Sequence, residues 1–379
     1  MDERMTRSWA EISLDALRHN ARELKRVLPA KCKLLGVVKA DAYGHGAVNA
    51  ARILREEGAA YLAVACPEEA LALRAAGDTG DILILGAVDA AYAPAMAEAG
   101  ITLAVEEREK GEALAAALRP GQRLKVHLKL DTGMGRIGFP ARDTAVLDGA
   151  AALMARENLN TEGVFTHFAV SDEPSGEEYT RAQFAAFQNA VRYLEEKSGK
   201  TFTLRHCANS GAMISYRDEG YCLDMVRPGL LTYGIYPGKE HGGLNLVPVM
   251  ELKSRVAAIT HHKRGDTVSY GRTFTCERDC TLAVLPIGYA DGLHRALSGK
   301  AEMLIRGQRV RQIGRICMDV CMLDVTDVPD ASAGDVVTVF GAGRDGAPTA
   351  SELAVLAETI PYELVCAVSP RVPRVFLGI

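Results

Sequence analysis

Between residues 33 and 235, apolar strand-like runs alternate with helical patterns eight times over, and few folds accommodate that rhythm. The expected strands are residues 34–39, 61–65, 82–86, 101–105, 124–131, 163–167, 204–209 and 224–230. Alanine-rich helical stretches lie between them, among them 47–57, 67–76, 107–118 and 177–197. Apolar strands each followed by a helix are what a (β/α)8 barrel requires, because its parallel strands are buried on both faces. A doubly wound open sheet satisfies the same periodicity, and periodicity alone leaves it open. The rhythm stops at the polar, glycine-rich residues 238–243. Beyond them the pattern is mostly β, at 254–260, 280–285, 310–323 and 335–340, with one helical stretch at 349–359 that Pro361 ends. The chain therefore reads as a barrel over 14–240 followed by a mainly β C-terminal domain over 241–379. Residues 1–13, whose Trp9-Ala10-Glu11-Ile12-Ser13 alternates like a strand, are expected to pair with that second domain.

Composition narrows what such a chain does. With 379 residues and 48% apolar content there is material for two cores. A net charge of −4 gives no reason to expect nucleic acid or an anionic membrane as partner. No run of about 18 apolar residues offers a membrane span. Met1-Asp2-Glu3-Arg4 carries acids and no apolar stretch follows, unlike a signal peptide. Nine cysteines at scattered spacings, without a C-x-x-C pair, point to free thiols in a reducing cytoplasm rather than to disulfides or a metal centre.

In a (β/α)8 barrel, chemistry collects at the carboxyl ends of the strands. The first expected strand ends at Lys39, inside Val37-Val38-Lys39-Ala40-Asp41-Ala42-Tyr43-Gly44-His45-Gly46. A lysine emerging from a core loses water contact, which lowers its pKa toward a usable amine that can act as a base or bind an aldehyde cofactor. The fifth strand brings Lys129 and then Asp131-Thr132-Gly133-Met134-Gly135-Arg136, the sixth His167, the seventh His206, Asn209 and Ser210, and the eighth Arg227, Gly229 and Leu230. Cations, hydroxyls and glycines with few acids suit an anionic ligand such as a phosphate ester. Each has a plainer reading. Lys125, His127 and Lys129 alternate as on a solvated strand face, His167 follows an apolar run as core histidines do, and the glycines of 133–138 lack the spacing of a dinucleotide loop.

Taken together, the segment around Lys39 and four others, Asp131–Arg136, Ser269-Tyr270-Gly271-Arg272, Gly314-Arg315-Ile316-Cys317-Met318-Asp319 and Arg371-Val372-Pro373-Arg374, resemble the motifs of alanine racemases, in that family's order. The resemblance covers nearly the whole chain and implies an isomerase that uses pyridoxal 5′-phosphate (PLP) to interconvert L- and D-alanine, supplying peptidoglycan synthesis. It implies that Lys39 binds PLP covalently and serves as one base, with Tyr270, from the other subunit of a homodimer, as the opposite base. Tyr43, Ser210, Tyr362 and the amides near Gly229 and Leu230 would hold the phosphate; Asn209 lies beside them. Arg227 would face the pyridine nitrogen, and His167 would support the ring. Arg136 and Met318 would bind the substrate carboxylate, and Lys129 would be carbamylated beside Arg136. A racemase preferring another amino acid such as serine, and a non-catalytic PLP-binding homeostasis protein, remain alternatives.

Overall fold

The computed structural model describes residues 7–378, so the expectation drawn from Met1 to Arg4 lies outside the described residues. One unit comprises residues 18–42 and 47–246. The eight-strand path of its parallel sheet runs Met225–Val226, Lys33–Val37, Tyr61–Val64, Asp81–Ile84, Ile101–Val105, Leu124–Asp131, Leu159–Phe165 and Leu204–His206, with the two-residue strand Phe139–Pro140 pairing off it against Leu124–Asp131. The first and last strands of the path are tied by Asp224 N–H to Arg205 O (3.1 Å) and Arg227 N–H to Ala208 O (2.9 Å), which brings the sheet round into a (β/α)8 barrel and removes the open-sheet reading. Tyr61–Val64 and Ile101–Val105 are buried at every residue, as parallel strands covered on both faces must be. Each fully buried leucine or isoleucine here, such as Leu35 and Leu62, adds roughly 1.5–3 kcal/mol.

Helix boundaries follow local chemistry. Asp143 caps Thr144–Met154 by accepting from the Ala145 and Val146 amides, and Gly199 ends Glu177–Ser198 at φ +69°.

The other unit holds residues 7–17, 43–46 and 247–378 of the described chain. Its nine-stranded sheet runs Ala258–His262, Cys280–Leu285, Cys321–Asp324, Gln308–Ile313, Glu302–Ile305, Val336–Phe340, Met250–Arg255, Ser8–Ser13 and Arg374–Leu377. Ser8–Ser13 lies antiparallel to Met250–Arg255 and parallel to Arg374–Leu377. Residues 43–46 join this unit because Arg374 Nε donates to Gly44 O at 2.9 Å, and a Cβ on Gly46 would meet the Phe376 ring.

Several expected elements differ. Residues 310–323 form two strands, interrupted by the 314–320 loop that carries Cys317 and Met318. Pro361 does not simply stop a helix; it opens a second one, Pro361–Ala367, at the first helical position, where its missing N–H costs nothing. Residues 224–230 are strand only at Met225–Val226, and Gly229–Thr232 is helical. The alternating Lys125, His127 and Lys129 do not line a solvated face: His127 is wholly buried and Lys129 is 5% exposed.

Candidate active site

The strand Lys33–Val37 ends two residues before Lys39. The chain then turns through Ala40, Asp41, Ala42 and Tyr43, all with φ between +52° and +55°. Left-handed backbone costs a non-glycine residue roughly 1–2 kcal/mol, so four in succession need outside support. Glu69, half-buried in the first turn of Pro67–Ala75, provides it: one carboxylate oxygen accepts from Ala40 N–H at 2.6 Å and the other from Ala65 N–H at 2.8 Å. Asp41 accepts from Ala47 N–H at 2.7 Å and so joins the turn to the following helix. Glu69 carries no motif signal in the sequence. An acid two residues into a helix that follows a strand is a common dipole-compensating choice.

Asp131 ends its strand by taking the amides of Gly133 (2.8 Å) and Gly135 (3.2 Å), which folds the loop that carries the exposed Arg136. The glycines are there for their positive φ values, and two of their amides are already used, so this is no phosphate loop. Phe165 supports two cations: Lys129 Nζ lies 5.6 Å and Arg227 Cζ 5.5 Å from its ring centre. Arg227 donates to Thr166 O (2.6 Å), Cys207 O (3.1 Å) and His206 Nδ1 (2.8 Å). Burial lowers its guanidinium to about 10, well above neutral pH, so it stays charged.

His167 is lowered to about 3, first by burial and then by the cations Arg227, Arg136, Lys129 and Lys39. The ring is neutral at pH 7, and the four charges that depress it mark a rim built for an anion. Asn209 has a structural duty: its Oδ1 accepts from Ser171 Oγ (2.7 Å) and caps Ser210–Ser215 through Ala212 N–H (3.0 Å). Gly229 N–H is spent on Arg227 O at 3.0 Å. Ser210 Oγ is different, being buried without a hydrogen-bond partner among the described residues. A buried hydroxyl left unpaired costs about 1–3 kcal/mol, and a phosphate oxygen would satisfy it. On that observation the rim residues fit PLP.

Lys129 is lowered to about 8 from the ordinary 10.5, first by burial, then by Arg136 and Arg227. Between those pH values the unfolded chain binds the proton and the folded one releases it, so stability rises with pH from about 8 to 10.5 and the penalty is complete below 8. The depression amounts to roughly 3 kcal/mol. Denaturant titrations in carbonate-free buffer should show this rise, and Lys129→Met should flatten it. Equal slopes for the two proteins would remove Lys129 as its source.

In the β unit, the Tyr43 and Tyr362 rings lie 5.6 Å apart. Burial first, then Tyr362 and Cys366, pushes the Tyr43 phenol up, so it remains a donor. Arg374 also donates to Ser369 O (2.6 Å), Val372 O (2.8 Å) and Val368 O (2.5 Å), which fixes the chain around the Pro361–Ala367 helix. Tyr270 and Met318 are among the exposed large apolar residues, at 71% and 53%. Their loops meet where Ser269 Oγ donates to Arg315 O at 2.7 Å. Arg371 joins Asp319 (2.8 Å) to the wholly buried Asp291 (3.0 Å), which anchors the 317–319 loop from behind.

A (β/α)8 barrel with a cationic carboxyl-end rim, joined in one chain to a β unit with exposed polar and aromatic loops, defines the class of two-domain barrel enzymes. Residues 12–237 match the alanine racemase N-terminal domain and residues 249–376 the alanine racemase C-terminal domain. An alanine racemase from Desulforamulus reducens is 44% identical over 98% of this chain and 99% of its own length. One from Desulfovibrio desulfuricans is 46% identical, covering 97% and 98%. The solved alanine racemase of Clostridium difficile 630 superposes with a TM-score of 0.92 at 38% identity, covering 98% of this chain and 96% of that one. The chain belongs to the alanine racemase family.

Proposed function

We propose that this chain is a PLP-dependent isomerase that interconverts L- and D-alanine and supplies D-alanine for peptidoglycan. Family membership over residues 12–237 and 249–376, together with a cationic rim that keeps one buried hydroxyl unpaired among the described residues, carries the reading. The barrel domain (14–240) would hold the cofactor through Lys39, Ser210, Asn209, Arg227, His167 and the Leu230 amide, with Gly229, whose own N–H is taken by Arg227 O, lining the phosphate and Tyr43 and Tyr362 adding their hydroxyls there. When bound, PLP acts as an electron sink that acidifies the α-carbon.

The remaining work falls to side chains. Racemisation takes a proton from one face of the α-carbon and returns one to the other, so two bases on opposite faces suffice: Lys39 on one and Tyr270, from the partner subunit of a homodimer, on the other. Arg136 and the Met318 amide would orient the substrate carboxylate. Arg227, whose guanidinium holds its proton, would not protonate the pyridine nitrogen as a carboxylic acid would, and this restrains side reactions such as transamination. Lys129, lowered to about 8, keeps a share of neutral amine at pH 7. That is the form that adds CO2, forming an N–C bond as one N–H proton leaves to solvent, and the resulting carbamate anion would steady Arg136. Among the described residues no helix is long and apolar enough to cross a membrane; we assign the enzyme to the cytoplasm.

The test is chiral analysis of product after incubating the PLP-loaded protein separately with L-alanine, L-serine and L-lysine. D-alanine forming fastest is expected. Faster D-serine would move the substrate and keep the mechanism. No D-product from a dimer with bound PLP would favour the homeostasis reading.

A further inference from the structure

Beneath Arg227 the barrel core is polar where an apolar filling would be the default. His206 and His127 are both wholly buried, with Nε2 of His206 2.9 Å from Nδ1 of His127. Among the described residues Nε2 of His127 has no hydrogen-bond partner, and it lies 3.6 Å from Glu162 Oε1, longer than a hydrogen bond. That same oxygen accepts from the Tyr61 hydroxyl at 2.5 Å. Donor accounting fixes the direction of the chain. A guanidinium only donates, so Nδ1 of His206 accepts from Arg227 and its proton sits on Nε2. Nε2 then donates to Nδ1 of His127, which leaves the second proton on Nε2, pointing at the carboxylate. Burial, the leading influence on both rings, lowers them and keeps them neutral. Burial alone would raise the Glu162 carboxyl, but its contacts with His127 and Tyr61 outweigh that and hold it low.

The backbone is shaped around this arrangement. Val126 pairs with Thr161 and His127 with Gly163, so Glu162 is the extra residue of a bulge, a device that re-aims a side chain. A Cβ on Gly163 would come within 2.5–2.6 Å of three His127 ring atoms, so the glycine exists to admit that ring. His206 in turn stacks on Phe165, with ring centres 4.9 Å apart and planes 5° from parallel. Among the described residues the hydrogen-bond partners of Arg227 are all neutral, namely two carbonyls and an imidazole.

We propose that His206, His127 and Glu162 form a directional spine through the barrel that locks Arg227 in one orientation and one donor pattern, which makes His127 and Glu162 positioning residues for the rim. The spine connects the buried cation to a carboxylate through two imidazoles of fixed tautomer, as a carboxylate orients a metal-binding histidine. Only what Arg227 serves rests on the racemase reading; the tautomers do not.

Long-range 1H–15N correlation on histidine-labelled protein without cofactor tests the spine itself. Both rings should appear as neutral Nε2–H tautomers, and an Nδ1–H or doubly protonated ring at neutral pH would overturn it. In the PLP-loaded enzyme, His127→Leu should lower kcat on the order of tenfold with KM nearly unchanged. His127→Gln, which keeps an acceptor for His206 and a donor toward Glu162, should recover most of the loss. A ring that serves only packing predicts the reverse order, since leucine suits an apolar core better. If the leucine variant does not fold, Glu162→Gln reads the same spine: the His127 Nε2–H resonance should move, and an unmoved resonance counts against it. A wild-type protein with the expected tautomers but neither PLP binding nor racemisation would overturn the functional reading and this role for Arg227 together, leaving the spine itself standing.

Discussion

Lys39→Ala is expected to abolish interconversion of L- and D-alanine while leaving the barrel folded. The substitution removes both duties proposed for this residue, the covalent hold on the cofactor and one of two bases. A positioned base alone is worth about 10²–10⁴ in rate, so a loss of at least that size is expected, with the covalent contribution added. Stability should change little, because Lys39 is half-buried and the turn beyond it is held by Glu69 and Asp41 through backbone amides. Borohydride reduction of the loaded wild type should fix the cofactor to the chain, and peptide mapping should place it on Lys39. Lys39→Arg separates charge from chemistry: it keeps a cation beside His167 but offers no usable amine, and it should be as inactive as the alanine variant. Racemisation surviving in either variant within tenfold of wild type would remove Lys39 from the mechanism.

Lys39 was legible because a charged residue at the end of an apolar run, followed by glycines, breaks the barrel rhythm at the one place where a barrel collects chemistry. Arg227 was legible for the same reason. The left-handed turn after Lys39 was not. Nothing in Ala40-Asp41-Ala42 announces positive φ, since those residue types adopt it only when tertiary contacts force them to. Glu69, which does the forcing, lies on another element, and its role depends on where two backbone amides come to rest. The burial of His127 is hidden in the sequence because alternation with period two distinguishes the faces of a strand but not which face is wet. In a barrel one face turns inward, and His127 is wholly buried there. The glycine that admits its ring and the bulge that re-aims Glu162 exist only in the register of two strands, and register cannot be read from one sequence. The 314–320 loop shows the converse: its motif was conspicuous, while the break it makes in an expected strand was hidden by the apolar residues on either side.

Mixing two inactive proteins should restore activity. If Tyr270 completes a neighbour's site, Lys39→Ala chains and Tyr270→Ala chains are each inactive alone, yet a hybrid dimer rebuilds one good site from the lysine of one chain and the tyrosine of the other. Random exchange of equal amounts makes half the dimers hybrid, each with one of two sites intact, so recovery should approach about a quarter of wild-type activity in a two-fold dimer. Tyr270 suits this role because 71% of it is exposed on a loop braced from within, where Ser269 takes φ +68° and donates to Arg315 O. Met318, on the adjoining loop, is 53% exposed and similarly braced through Arg371 and Asp319. Exposed side chains on two loops that meet suit an interface, and the partner proposed for them is a second copy of this chain. Subunit exchange can be followed independently by native mass spectrometry of chains with different tags. Proven exchange without recovered activity would refute sites shared between subunits and place both bases within one chain. Recovery near one quarter, rising and falling with the hybrid fraction, would make the dimer the catalytic unit.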